Sequence, residues 1–158
     1  MKIIKAPNKL ELDKPSVFLA GSIEMGKAVN WQERIEKSLA DEDLIVLNPR
    51  RDDWDSSWEQ SIKNDQFREQ VEWELNAQDV CDLIVMYFDP ETKAPITLLE
   101  LGLYAASEKM VVCCPDGFWR KGNVDIVCNR YKIPMCSDIN ELCEFVKWHF
   151  IVKGELEG

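Results

Sequence analysis

Residues 64–114 read NDQFREQVEWELNAQDVCDLIVMYFDPETKAPITLLELGLYAASEKMVVCC. The stretch divides by periodicity. Residues 64–80 carry Phe67, Val71, Leu75 and Gln78 or Asp79 on one stripe, as a helix with one inward face requires. Asp82–Phe88 is then an unbroken apolar run, DLIVMYF, too short for a helix and bounded by turn formers. Asp89–Pro95 is a loop, Thr97–Ser107 a strongly apolar helix, and Lys109–Cys114 another apolar run. The unit is helix, strand, helix, strand. Its strands are apolar throughout rather than alternating, the pattern of a parallel sheet covered on both faces.

The same rhythm extends in both directions. Upstream, Ser16–Gly21 (SVFLAG) reads as a buried strand ending in glycine, Asn30–Ala40 as a helix carrying Trp31, Ile35 and Leu39, and Leu44–Leu47 as a second short strand. Downstream come a short helix near Val124–Arg130, a short strand at Ile133–Cys136 and an amphipathic helix over Ile139–Val152. Residues 1–15 form a leader or edge strand, and 16–158 a single domain. The expected architecture is a three-layer α/β sandwich around a parallel sheet of four or five strands, in flavodoxin-like, broadly Rossmann-like order. Such sheets bind ligands beyond the carboxyl ends of their strands, where strand order reverses. That rule selects the loops Gly21–Gly26, Asn48–Trp58, Asp89–Thr97 and Pro115–Asn123.

Composition narrows the function. The chain has 158 residues, 46% of them apolar and 30% charged, which is globular composition. A net charge of −10 argues against a nucleic-acid groove or an anionic membrane surface as partner, and leaves a small-molecule ligand. The six cysteines include no C-x-x-C pair and there is a single histidine, His149, so neither a metal site nor any other cofactor is expected. Residues 1–15 hold four lysines and no apolar core of a signal peptide. The expectation is a cytoplasmic protein with free thiols.

Glu100 is the most informative residue. It lies in ITLLELGLYAA, where nearly every neighbour is apolar, and a carboxylate there is costly unless paired, capped or used. Thr97-x-x-Glu100 fits a capping box. It equally fits a carboxylate nucleophile held ionised at a helix N-terminus, with Gly102 leaving room for a ligand. Glu74 follows Val71 by three, at the edge of the apolar stripe. It is either solvated or a second carboxylate able to protonate a leaving group. Asp82 opens a buried strand, where a structural role competes with substrate contact. Gly21 and Ser22 open a turn that loosely resembles a phosphate cradle and suits hydroxyl or sugar binding as well. Arg50 and Arg51 end a strand at the ligand edge and could anchor a base, sugar or phosphate, with Trp54 or Trp58 stacking on a base. His149 has no acidic neighbour and reads as structural.

Three segments together, FLAGSI (Phe18–Ile23), WELNAQDVCDLIVMYFDP (Trp73–Pro90) and TLLELGLYAASEKMVV (Thr97–Val112), resemble the nucleoside 2-deoxyribosyltransferase family. The resemblance implies a flavodoxin-like sheet, a homo-oligomer, and cleavage of the N-glycosidic bond of a 2′-deoxynucleoside. Water as acceptor would make the protein an N-glycosidase instead, and loss of catalysis would leave a nucleotide-binding protein. Glu100 matches the family's catalytic glutamate, and Glu74 a substrate-binding aspartate. Arg50 falls near a base-contacting residue, and Asn123 matches an asparagine lent between subunits. Phe18 and Ala94 depart from the pattern. Phe18 stands where many members have a tyrosine that orients the glutamate, so Glu100 needs another donor, for which Tyr104 and Tyr87 are the candidates. Phe118 and Trp119, beside Asn123, are expected to be an exposed aromatic pair at a subunit contact.

Overall fold

A computed structural model describes residues 1–22, 30–51, 53 and 55–152. Its six strands are β1 (Lys2–Lys5), β2 (Ser16–Gly21), β3 (Ile45–Asn48), β4 (Leu83–Tyr87), β5 (Met110–Cys113) and β6 (Met135–Cys136). They form one sheet in the order β1-β3-β2-β4-β5-β6, with every pairing parallel. The leader therefore supplies a sixth, edge strand beyond the four or five expected. Without it the order is that of a flavodoxin-like sheet.

The helices α1 (Trp31–Ser38), α2 (Asp65–Val80), α3 (Pro95–Tyr104), α4 (Lys121–Tyr131) and α5 (Ile139–Lys147) cover both faces. Alternation along β2 sends Val17 and Leu19 to one side and Phe18 and Ala20 to the other. Val17 and Leu19 join Trp31, Ile35 and Leu39 of α1 and Leu142 and Val146 of α5. Phe18 and Ala20 join Trp73 and Ala77 of α2, Leu101 of α3, and Val124 and Cys128 of α4. The three expected layers are present. The last helix is shorter than its periodicity suggested: α5 ends at Lys147, and Trp148–Val152 winds on as a wider turn.

After β2 the chain moves to β3 on one side, and from β3 it crosses to β4 on the other. The reversal of strand order lies between the carboxyl ends of β2 and β4. Gly21 and Tyr87 pair across it. A methyl group at Gly21 would come within 2.5 Å of the Trp31 ring and 2.6 Å of the Tyr87 carbonyl oxygen, so only glycine fits there. All six cysteines are buried and free. Burial pushes the thiols of Cys81 and Cys136 up to about 11, far from the thiolate that a nucleophile needs.

Candidate active site

Glu100 is buried on the inward side of α3, facing α2. The capping box is not formed. The helix begins at Pro95, preceded by Ala94 in a left-handed conformation at φ 46°, with no side-chain cap. Proline suits the first helical position because it lacks the amide hydrogen that would go unbonded there. Thr97 is thus inside the first turn and Glu100 inside the second. That placement also corrects the expectation that the helix terminus keeps Glu100 ionised. Burial dominates instead and pushes its carboxyl up to about 7, opposed by a hydrogen bond from Gln78.

That bond answers the question left by Phe18. Gln78, fully buried on α2, donates from Nε2 to Glu100 Oε2 at 2.5 Å and to the Glu74 carbonyl oxygen at 3.2 Å. Phe18 packs against Trp73, ring centroids 6.4 Å apart. Tyr104 turns to α2, its hydroxyl donating to the Asp79 carboxylate at 2.9 Å. Tyr87 packs on Trp31 across the other sheet face. Neither tyrosine is the donor to Glu100. In the sequence Gln78 was legible only as a stripe position, because its partner lies 22 residues away on another helix.

Glu74 sits one turn before Gln78 on α2 and is half-buried rather than solvated. Burial and the neighbouring Glu100 charge together push its carboxyl up to about 8. Two carboxylates and one amide thus share the space between α2 and α3. Both carboxyls are thus held above the ordinary carboxylate range, Glu74 by burial and the Glu100 charge, Glu100 by burial against the Gln78 hydrogen bond.

The remaining candidates divide. Ser22 is buried at the strand reversal, its Oγ 2.8 Å from the Thr92 hydroxyl and 3.4 Å from the Asp89 amide nitrogen. It ties the loop after β2 to the loop after β4. Arg50 is partly buried just past β3, and its Nε and Nη2 have no hydrogen-bond partner among the described residues. Arg51 is engaged within the chain: its guanidinium bonds Asp53 at 2.7 Å and Glu69 at 3.0 Å and covers the Trp58 ring, so it fastens the loop to α2. Asp82 is engaged within the chain as well. It lies at the amino end of its strand, away from the ligand edge, and accepts the Ser16 amide hydrogen at 2.8 Å. Trp54 and the turn through Gly26 lie outside the described residues.

Asn123 is exposed in the first turn of α4, which starts three residues earlier than the sequence suggested. Phe118 is buried against Phe88, ring centroids 4.9 Å apart, so the exposed aromatic pair is not formed. Trp119 alone remains half exposed, flanked by Lys93 and Arg120. His149 packs among the rings of Phe145 and Phe150.

A family model described as nucleoside 2-deoxyribosyltransferase like matches residues 14–118, about two thirds of the chain. The chain belongs to this nucleoside 2-deoxyribosyltransferase-like family. The matched stretch spans β2 through the loop after β5 and holds Glu74, Gln78 and Glu100; Asn123 lies beyond it. No curated protein matches the chain. Among the described residues, no helix is long and apolar enough to cross a membrane.

Proposed function

We propose that the protein is a nucleoside 2-deoxyribosyltransferase that exchanges the base on a 2′-deoxyribose through Glu100. The observation that carries this reading is the Glu74–Gln78–Glu100 group between α2 and α3, whose two carboxyls are pushed up to about 8 and about 7. A deoxyribosyl bond breaks through an oxocarbenium-like state, which a facing carboxylate traps as a covalent glycosyl ester. Glu100, the first to ionise, is the nucleophile at C1′. Glu74, still protonated, gives its proton to the departing base and takes one from the incoming base. Attack from the vacated side then gives net retention.

Arg50 supports a substrate role because its two unpartnered N–H groups would gain from a ligand oxygen on a base or a phosphate. Assembly belongs to the same reading. Ile96, Leu99 and Leu103 form an exposed apolar face on the outside of α3, suited to a second copy of the chain, which would bring the exposed Asn123 of one subunit toward the site of another.

The test is incubation of pure protein with a deoxynucleoside and a different free base, followed by chromatography. A new deoxynucleoside is the expected product. Free base with no new nucleoside would make the protein a hydrolase. Binding without turnover would make it a binding protein. Parallel runs with nucleosides and nucleoside monophosphates show which oxygen Arg50 meets.

A further inference from the structure

Gln78 does more than fill the space between α2 and α3. A buried amide costs free energy unless its polar atoms are bonded. Gln78 is fully buried, yet its bonds are one-sided. Nε2 donates to the Glu100 carboxylate and to the Glu74 carbonyl, while Oε1 has no partner among the described residues. Flipping the amide would set Oε1 against two oxygen acceptors, so the orientation is fixed by its surroundings. The arrangement leaves one acceptor unbonded in order to keep a donor on Glu100.

Resting on the glycosyl-transfer reading above, we propose that Gln78 is the positioning residue that selects Oε1 of Glu100 as the attacking atom. With Oε2 engaged by Gln78, the free lone pairs are those of Oε1. In the first step Oε1 forms a bond to C1′ while the C1′–N bond breaks. The bonding pair moves onto the base nitrogen, which takes the proton of Glu74. Oε2 becomes the carbonyl oxygen of the ester and keeps its bond from Gln78. In the second step the nitrogen of the incoming base bonds to C1′ and the C1′–Oε1 bond breaks. Its electron pair returns to the carboxylate, which Gln78 again stabilises, and the proton of the incoming base passes to Glu74. An amide neither gives nor takes a proton near neutral pH, so Gln78 holds Glu100 identically in both steps.

The titratable groups electrostatically coupled to Glu100, among the described residues, include Glu74 on α2 and Tyr104 on α3, whose hydroxyl bonds Asp79. Neither donates to it. Removing Gln78 therefore removes the interaction that favours the ionised form and leaves burial unopposed.

The experiment compares wild type with Gln78→Leu, which keeps the bulk and loses the donor. It reads kcat and KM across pH, and the Glu100 carboxyl titration by infrared difference spectroscopy, assigned with Glu100→Gln. Loss of a hydrogen bond to a charged group predicts a fall in kcat of roughly 10- to 150-fold with KM nearly unchanged. The acid-side midpoint of kcat and the Glu100 titration should both move to higher pH. A fall in kcat that is uniform in pH, with both midpoints unmoved, overturns the proposal and marks Gln78 as packing only. Gln78→Met provides the same reading should the leucine variant fail to fold. Absence of turnover in wild type sinks the glycosyl-transfer reading, whereas an unmoved Glu100 titration sinks the role of Gln78 whether or not wild type turns over.

Discussion

Helices α3 and α5 are nearly equal in length, ten and nine residues, and are built in opposite ways. In α5 the apolar side chains Leu142, Cys143 and Val146 face the sheet, and Glu141 and Glu144 face outward. Asp138 caps its N-terminus by accepting the Glu141 amide hydrogen at 2.8 Å. In α3 the inward face holds Thr97 and Glu100 beside Leu101, and the outward face holds Ile96, Leu99 and Leu103, each 57–60% exposed. No side chain caps α3. A helix serving stability alone would look like α5. On the proposed reading, the inversion in α3 is accounted for by chemistry on its inner face and a second copy on its outer one. The largest test of that contrast is Glu100→Gln. This variant keeps an acceptor for Gln78 and so keeps the fold, while turnover should fall by about 10⁴-fold or more. Normal rates in a folded Glu100→Gln protein would return α3 to the class of α5.

The same contrast explains what the sequence made legible. β2 has the boundaries its apolar run indicated, and β3, β4 and β5 lie within a residue of theirs, because strands buried on both faces leave an unbroken signature. α5 declared itself through its amphipathic periodicity. β1 was ambiguous because KIIK is short and half polar, and edge strands need little apolar surface. At the site Glu100 was legible, but its setting was not. T-x-x-E matches a capping box, whereas Pro95 marks a first helical position two residues earlier. Gln78 was legible only as a stripe position, since a polar residue on a helix stripe looks the same whether it meets a carboxylate or water. Arg50 and Arg51 are adjacent and chemically identical. Only the positions of Asp53 and Glu69 decide which of the two is engaged.

The α5 side of the comparison is tested by Leu142→Ala. Leu142 is fully buried, and its truncation should cost about 2–5 kcal/mol of stability. Chemical denaturation measures it. The effect on activity should follow only from loss of folded protein, so kcat per folded molecule should stay at the wild-type value. A specific loss of kcat would mean that the α5 face is coupled to the site.

A smaller effect follows from the buried carboxyls of the other face. A carboxyl raised in the folded state is protonated in both states below about 4.5, so it has no pH-dependent effect there. As pH rises, the unfolded chain releases the proton while the folded one keeps it until about 8, so the folded state loses stability across that window. Glu74→Gln removes this loss. The variant should gain stability over wild type at pH 8 and gain nothing at pH 4, by about 1 kcal/mol once partial solvent access is discounted. Thermal melts at the two pH values measure the difference. An equal gain at both would place Glu74 in solvent and leave Glu100 as a lone buried acid. The activity of wild type should share the window, rising through about pH 7 as Glu100 ionises and falling above about pH 8 as Glu74 loses its proton.

The smallest stability change, and the one that isolates the outer face of α3, is Leu99→Ser. Leu99 is 59% exposed, so within a single chain its side chain buries little and its replacement should alter unfolding free energy by no more than about 0.5 kcal/mol. If the face formed by Ile96, Leu99 and Leu103 is covered by a second copy, the same change places a hydroxyl in a desolvated contact and weakens association far more than folding. Light scattering across a dilution series should then show the variant dissociating at concentrations where wild type remains assembled. Activity should fall with dissociation in step, because the exposed Asn123 would no longer reach a neighbouring site. A variant that dissociates and keeps full activity would separate the two halves of the inversion: the outer face would still mark an interface, and the Glu100 site would be complete within one chain. A wild type that is already monomeric would leave the three apolar side chains of α3 without a second copy to cover them, and with it the analogy between its outer face and a buried one would fail.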